Sequence, residues 1–85
     1  MKYTVVWIPS VEQDLATIWM NASNQQEITD AANDIDRILA NHPLSAGESR
    51  EGKSRIFILS PLAVYFDVDV NDMQVTVWQV WNWTT

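Results

Sequence analysis

Residues 55–83 read RIFILSPLAVYFDVDVNDMQVTVWQVWNW, and the way this stretch breaks decides the fold. β-Branched and aromatic residues fill it, types that suit a pleated, half-buried surface. Ser60–Pro61 interrupts it once and the acidic segment from Asp69 to Asp72 a second time, both built from turn-forming residues. Three strands remain, Arg55–Leu59, Leu62–Val68 and Gln74–Trp83, close enough in sequence to pair as an antiparallel meander.

Towards the N-terminus, Lys2–Ile8 (KYTVVWI) has the same composition and predicts a fourth strand, stopped by Pro9–Ser10. Two helical patterns separate it from the meander. Ser10 with Gln13 fits a capping box, and Glu12 and Asp14 suit the positive end of a helix dipole. Val11, Leu15, Ile18, Trp19 and Ala22 then mark one helix face to about Asn21. After a polar break in which Ser23 or Asn24 can cap, Gln25–Asn41 carries a second stripe of Ile28, Ala31, Ala32, Ile35, Ile38 and Leu39. Asn41–His42–Pro43 ends it, because proline cannot continue a helix. So short a connection predicts an antiparallel helical hairpin. The order βααβββ therefore predicts one α+β domain over residues 1–85: a helical hairpin on one face of a small, mostly antiparallel four-stranded sheet.

Composition limits what such a domain does. Five basic residues against eleven acidic ones give a net charge of −6, the wrong sign for direct nucleic-acid binding, whose affinity comes mainly from neutralising phosphates. The absence of cysteine excludes disulfides, thiolate zinc sites and a cysteine nucleophile. The one histidine, His42, precedes a proline at a helix end, where a histidine suits the last carbonyls and the dipole. Asp67, Asp69 and Asp72 lack the glycine and distal glutamate of a calcium loop and read as an exposed turn. No metal and no cofactor is expected. The N-terminal apolar run is too short to span a bilayer and no cleavage site follows it, so the expectation is a cytoplasmic protein without a membrane partner.

Two surface features stand out. Apolar residues occupy both parities of every strand, although a sheet covered by helices on one face should be polar on the other. Strict alternation puts Val75, Val77, Trp81 and Trp83 on one side of the last strand and Trp78 and Val80 on the other. A second face rich in Trp and Tyr predicts a protein-binding surface, in a homodimer or a heteromeric complex, with Tyr65, Trp78 and Trp81 as candidate anchors. Arg50, Lys53 and Arg55 form the one concentration of positive charge. They either hold a partner's carboxylate or a phosphate, or pair with Glu48 and Glu51 in a solvated loop.

The stretches VVWIPSVEQDLATIW (5–19), IDRILANHPL (35–44) and GESREGKSRIFILSPLAVYFDVDVNDMQVTVWQVW (47–81) resemble the RelE/ParE superfamily of toxins from bacterial type II toxin–antitoxin modules. The resemblance covers nearly the whole chain and rests on the order of elements and the spacing of loose patterns. It implies a βααβββ fold, a cytoplasmic location and a cognate antitoxin that wraps the toxin. Two activities are implied: RelE-type cleavage of mRNA on the ribosome, using Lys and Arg side chains on the sheet, or ParE-type inhibition of DNA gyrase by binding it as a protein. Arg55 matches the family's basic residue at the start of the strand after the helices. Phe57 stands where RelE-type cleavage calls for a second basic residue, Ala63 where an arginine usually enters the next strand, and Trp81–Thr85 where a basic tail belongs. The departures favour a toxin, or a toxin-derived protein, that acts by protein binding on gyrase or another target, with Arg50, Lys53, Arg55, Tyr65, Trp78 and Trp81 at the interface. The alternatives are a non-toxic dimeric interaction module and a ribosome-dependent endoribonuclease.

Overall fold

In the computed structural model, which describes residues 2–49, 52 and 54–83, the chain runs β1 (Thr4–Trp7), α1 (Pro9–Asn21), α2 (Gln25–Asn41), β2 (Glu48–Ser49), β3 (Ser54–Leu59), β4 (Leu62–Asp69) and β5 (Gln74–Asn82). The expected architecture of two helices on a mostly antiparallel sheet is present. Among the described residues the sheet has five strands rather than four, in the order β1-β5-β4-β3-β2. β1 runs parallel to β5, as the long connection between them through both helices and the rest of the sheet allows. All other pairs are antiparallel.

The extra strand comes from the polar stretch between α2 and β3, where no strand was expected. Glu48 and Ser49 pair antiparallel with Ile56 and Arg55, and Gly47, directly before them at φ +67°, leads the chain into this pairing. A side chain at Gly47 would run into the backbone carbonyl of Ile56, so both its conformation and its close packing call for glycine.

α1 starts one residue before the expected capping box. Pro9 occupies its first turn, where a missing N–H costs nothing and the fixed φ is already helical. Ser10 is thereby drawn into the helix, the N-cap position falls to Ile8, and no side chain caps it. The N–H groups of Val11 and Glu12 both donate to the Ile8 carbonyl instead. α2 begins as expected, with the Asn24 side chain accepting from the Glu27 N–H at 3.1 Å. It ends where the His42 N–H donates to the Ile38 carbonyl at 2.7 Å.

Ile28, Ala31, Ile35 and Leu39 of α2 and Val11 of α1 are buried on the sheet. Opposite them lie Leu62, Val64, Phe66 and Val68 of β4 with Val75, Val77 and Val80 of β5. Phe66 is wholly buried at the centre; covering a phenylalanine side chain contributes roughly 1.5–3 kcal/mol. β5 changes parity partway along. Phe66 pairs with Val77 but Tyr65 pairs with Gln79, leaving Trp78 as an extra residue, a β-bulge. The bulge brings Val80 onto the helix side with Val75 and Val77, and corrects the face assignment that strict alternation gave.

Candidate protein-binding face

The side of the sheet turned away from the helices is fixed by register. Ser54, Ile56 and Ile58 of β3 pair with Asp67, Tyr65 and Ala63 of β4, so these six share a face. Across the next ladder, Tyr65 pairs with Gln79 and Ala63 with Trp81. Trp78, displaced by the bulge, joins the same face and stacks on Tyr65, with centroids 4.9 Å apart and planes 8° from parallel. Trp81 flanks Tyr65 on its other side at 5.0 Å, tilted by 43°. Offset and tilted pairs at these distances add to what burial alone supplies. Beneath the rings, Ala63 and Ile56 are buried although neither belongs to the helix-side core.

Asp67 locks this group. Its Oδ1 accepts from the Ser54 hydroxyl at 2.7 Å and from the Trp78 indole N–H at 3.1 Å. The carboxylate sits within β4 and is half-buried, not in an exposed turn as its spacing to Asp69 and Asp72 suggests. The turn itself is smaller: Asp69 Oδ1 accepts from the Asp72 N–H at 3.1 Å. The result is a rigid patch of π surface that ends in one carboxylate. Its rim stays apolar and open to solvent, with Trp78 37% and Ile58 40% exposed.

Tyr65, Trp78 and Trp81, singled out from sequence, are brought together here. Arg55 is not. It pairs with the core residue Phe66, which places it on the helix side. Its guanidinium donates to the carbonyls of Ala46 (3.2 Å) and Gly47 (3.4 Å), bracing the turn before β2. Arg50 and Lys53 lie outside the described residues. Among the described strand residues Arg55 is the one Lys or Arg, so the described strands place no cation on the aromatic face. Phe57 is half-buried on the helix side and Ala63 buried on the aromatic side. Among the described residues no group of three or more His, Cys, Asp or Glu side chains is placed to hold a metal. Asp67 went unrecognised in the sequence as the brace of Trp78. The visible signal was the break in alternation, with Val75, Val77 and then Val80 apolar, because such a shift marks a bulge.

No protein-family model and no curated protein matches the sequence significantly. Solved structures do match the fold. The toxin–antitoxin complex RelBE2 from Mycobacterium tuberculosis superposes with a TM-score of 0.78 at 16% identity, covering 96% of this chain and 92% of that one. A chain of the chromosomal ParDE toxin–antitoxin system of P. aeruginosa gives 0.70 at 18% identity, with 94% and 95% covered. The isolated E. coli RelE toxin gives 0.65 at 15% identity, with 98% and 86% covered. The chain therefore has the RelE/ParE toxin fold. No helix among the described residues is long and apolar enough to cross a membrane.

Proposed function

We propose that this chain is the toxin component of a type II toxin–antitoxin pair, or a descendant of one, and acts in the cytoplasm by binding protein through its aromatic sheet face. The observation that carries the proposal is the Trp78–Tyr65–Trp81 group held by Asp67. Rigid Trp and Tyr side chains over a desolvated base are the usual composition of an interface hot spot. The fold likeness to RelBE2 and ParDE supports a cognate antitoxin as one partner, with DNA gyrase or another protein as the cellular target. Arg50 and Lys53, adjacent in sequence to Ser54, are proposed as further contacts. Arg55 acts at one remove, by holding the turn at Ala46 and Gly47.

Cleavage of RNA fits less well. Phosphoryl transfer relies on cations aimed at the developing charge, with preorganised donors commonly contributing several kcal/mol. The described strands offer the aromatic face none.

Inducible expression tests the proposal. The wild-type chain should slow growth, and the product of the adjacent gene should restore it. A folded, soluble Tyr65→Ala chain should leave growth unaffected. Harmless accumulation of soluble wild-type protein would refute the toxin reading. Sedimentation as a dimer that Tyr65→Ala dissociates would, in that event, select a non-toxic interaction module.

A further inference from the structure

A concavity lies on the helix side of the molecule, away from the aromatic stack, where α1, α2 and the end of β1 meet. Its volume of about 490 Å³ falls within the range of small-molecule sites. Leu15 and Ala16 of α1 and Ile28 and Ala32 of α2 give it an apolar lining. The two alanines keep it open, since a longer side chain at either would begin to fill it.

Trp7 and Trp19 also line this groove. Both indole N–H groups are already engaged: Trp7 Nε1 donates to Asp36 Oδ1 at 2.9 Å, and Trp19 Nε1 to Thr29 Oγ1 at 3.2 Å. What the indoles offer a ligand is therefore π surface rather than a donor. Thr29 and Asp36 stand two turns apart on α2, roughly 10 Å along its axis, so the anchored indole nitrogens are spread along the groove. Glu12 and Asp36 bring two carboxylates to the same lining. Neither is in a salt bridge among the described residues, where the one ion pair is Arg37–Asp34.

Indole π surface together with unneutralised carboxylates selects one ligand chemistry. A cation gains from both, an anion is repelled by both, and a neutral apolar molecule leaves the carboxylates unused. We propose that the groove between α1 and α2 binds a small organic cation, a primary ammonium or guanidinium group carried on a short apolar or aromatic body. The charged head lies against Glu12, Asp36 and Trp7. The body runs over Ala16 and Ala32 towards Trp19. Nothing in this assignment depends on how the aromatic sheet face is used.

The test is a titration of the full chain followed through the NMR signals of its indole N–H groups. The probes are phenethylammonium, its uncharged counterpart 2-phenylethanol, and the acetylated amide of a Leu-Arg dipeptide. Phenethylammonium should shift the Trp7 and Trp19 signals saturably and leave those of Trp78 and Trp81 in place. The alcohol should bind roughly tenfold more weakly, the size of one charge-assisted contact. Asp36→Asn keeps an oxygen for the Trp7 N–H while removing the charge. Combined with Glu12→Gln, it should bring the amine down to the affinity of the alcohol in a domain that stays folded, with Tm lowered by only some degrees through the weaker Trp7 bond and the lost dipole partner. Equal affinity of amine and alcohol would overturn the proposal, as would no saturation by about 10 mM amine. So would a dipeptide that binds roughly tenfold tighter than the amine, because the groove would then serve a side chain of a partner protein.

Discussion

Replacing Asp67 with alanine removes the acceptor shared by Ser54 and Trp78 and tests whether the aromatic group is preorganised. A hydrogen bond to an ionised acceptor contributes about 1.5–3 kcal/mol in a buried setting. Trp78 is 37% exposed and Ser54 half-buried, so solvent screening reduces each bond to about 0.5–1 kcal/mol. Asp67→Ala should therefore cost about 1–2 kcal/mol in total, whereas Asp67→Asn, which keeps a neutral oxygen, should cost about half as much. Urea unfolding followed by tryptophan fluorescence measures this directly. With a urea m-value of about 1 kcal/mol/M for a domain of this size, the alanine variant's midpoint should fall by about 1–2 M with m unchanged. The circular-dichroism coupling between stacked Tyr65 and Trp78 should weaken in parallel. Asp30→Ala is the control, because among the described residues its carboxylate accepts from the exposed Gln26 amide alone, and it should stay within about 0.5 kcal/mol of wild type. A midpoint for Asp67→Ala within about 0.3 M of wild type, with the stacking signal intact, would refute the reasoning.

Other positions carry equally definite expectations. Phe66→Ala, at the wholly buried centre of β4, should cost about 3–5 kcal/mol and leave much of the chain unfolded by thermal melt, whereas Phe66→Leu should remain folded. Gly47→Ala should destabilise by more than about 2 kcal/mol, since strain at positive φ adds to a collision with the Ile56 carbonyl. Gly52→Ala, also at positive φ but with open space around it, should cost only about 1 kcal/mol in the same denaturant assay. Asn24→Ala removes the side-chain cap on α2 and should lower stability by about 1 kcal/mol, with loss of amide-exchange protection confined to the first turn of that helix.

What could be read in advance was whatever depends on local pattern. Residues 55–59, 62–68 and 74–83 are dense in β-branched and aromatic residues between clear breaks, and Asn24 stands before a clean helical stripe, so these elements lay near where they were expected. Features governed by long-range pairing were hidden. Glu48–Ser49 has no strand composition, and it becomes β2 through its pairing with β3, which the close approach of Gly47 to the Ile56 carbonyl permits. Trp78 looked like a residue of the face opposite Trp81 until the bulge placed both against Tyr65. Arg55 looked available because charge was counted along the chain, whereas register with Phe66 turns it to the helix side and two carbonyls occupy it. Trp7 and Trp19 read as strand and helix-face residues, and their shared groove arises only where α1, α2 and the end of β1 pack together.

Whether the aromatic face binds protein is decided most directly by calorimetric titration of the adjacent gene's product into the wild-type chain and into folded Trp78→Ala and Trp81→Ala variants. Truncating a hot-spot aromatic costs about 2–4 kcal/mol of binding, so each variant should bind roughly 30- to 1,000-fold more weakly than wild type. Affinities within about twofold of wild type, from variants whose unfolding curves show an intact domain, would place the interface elsewhere and contradict the proposal.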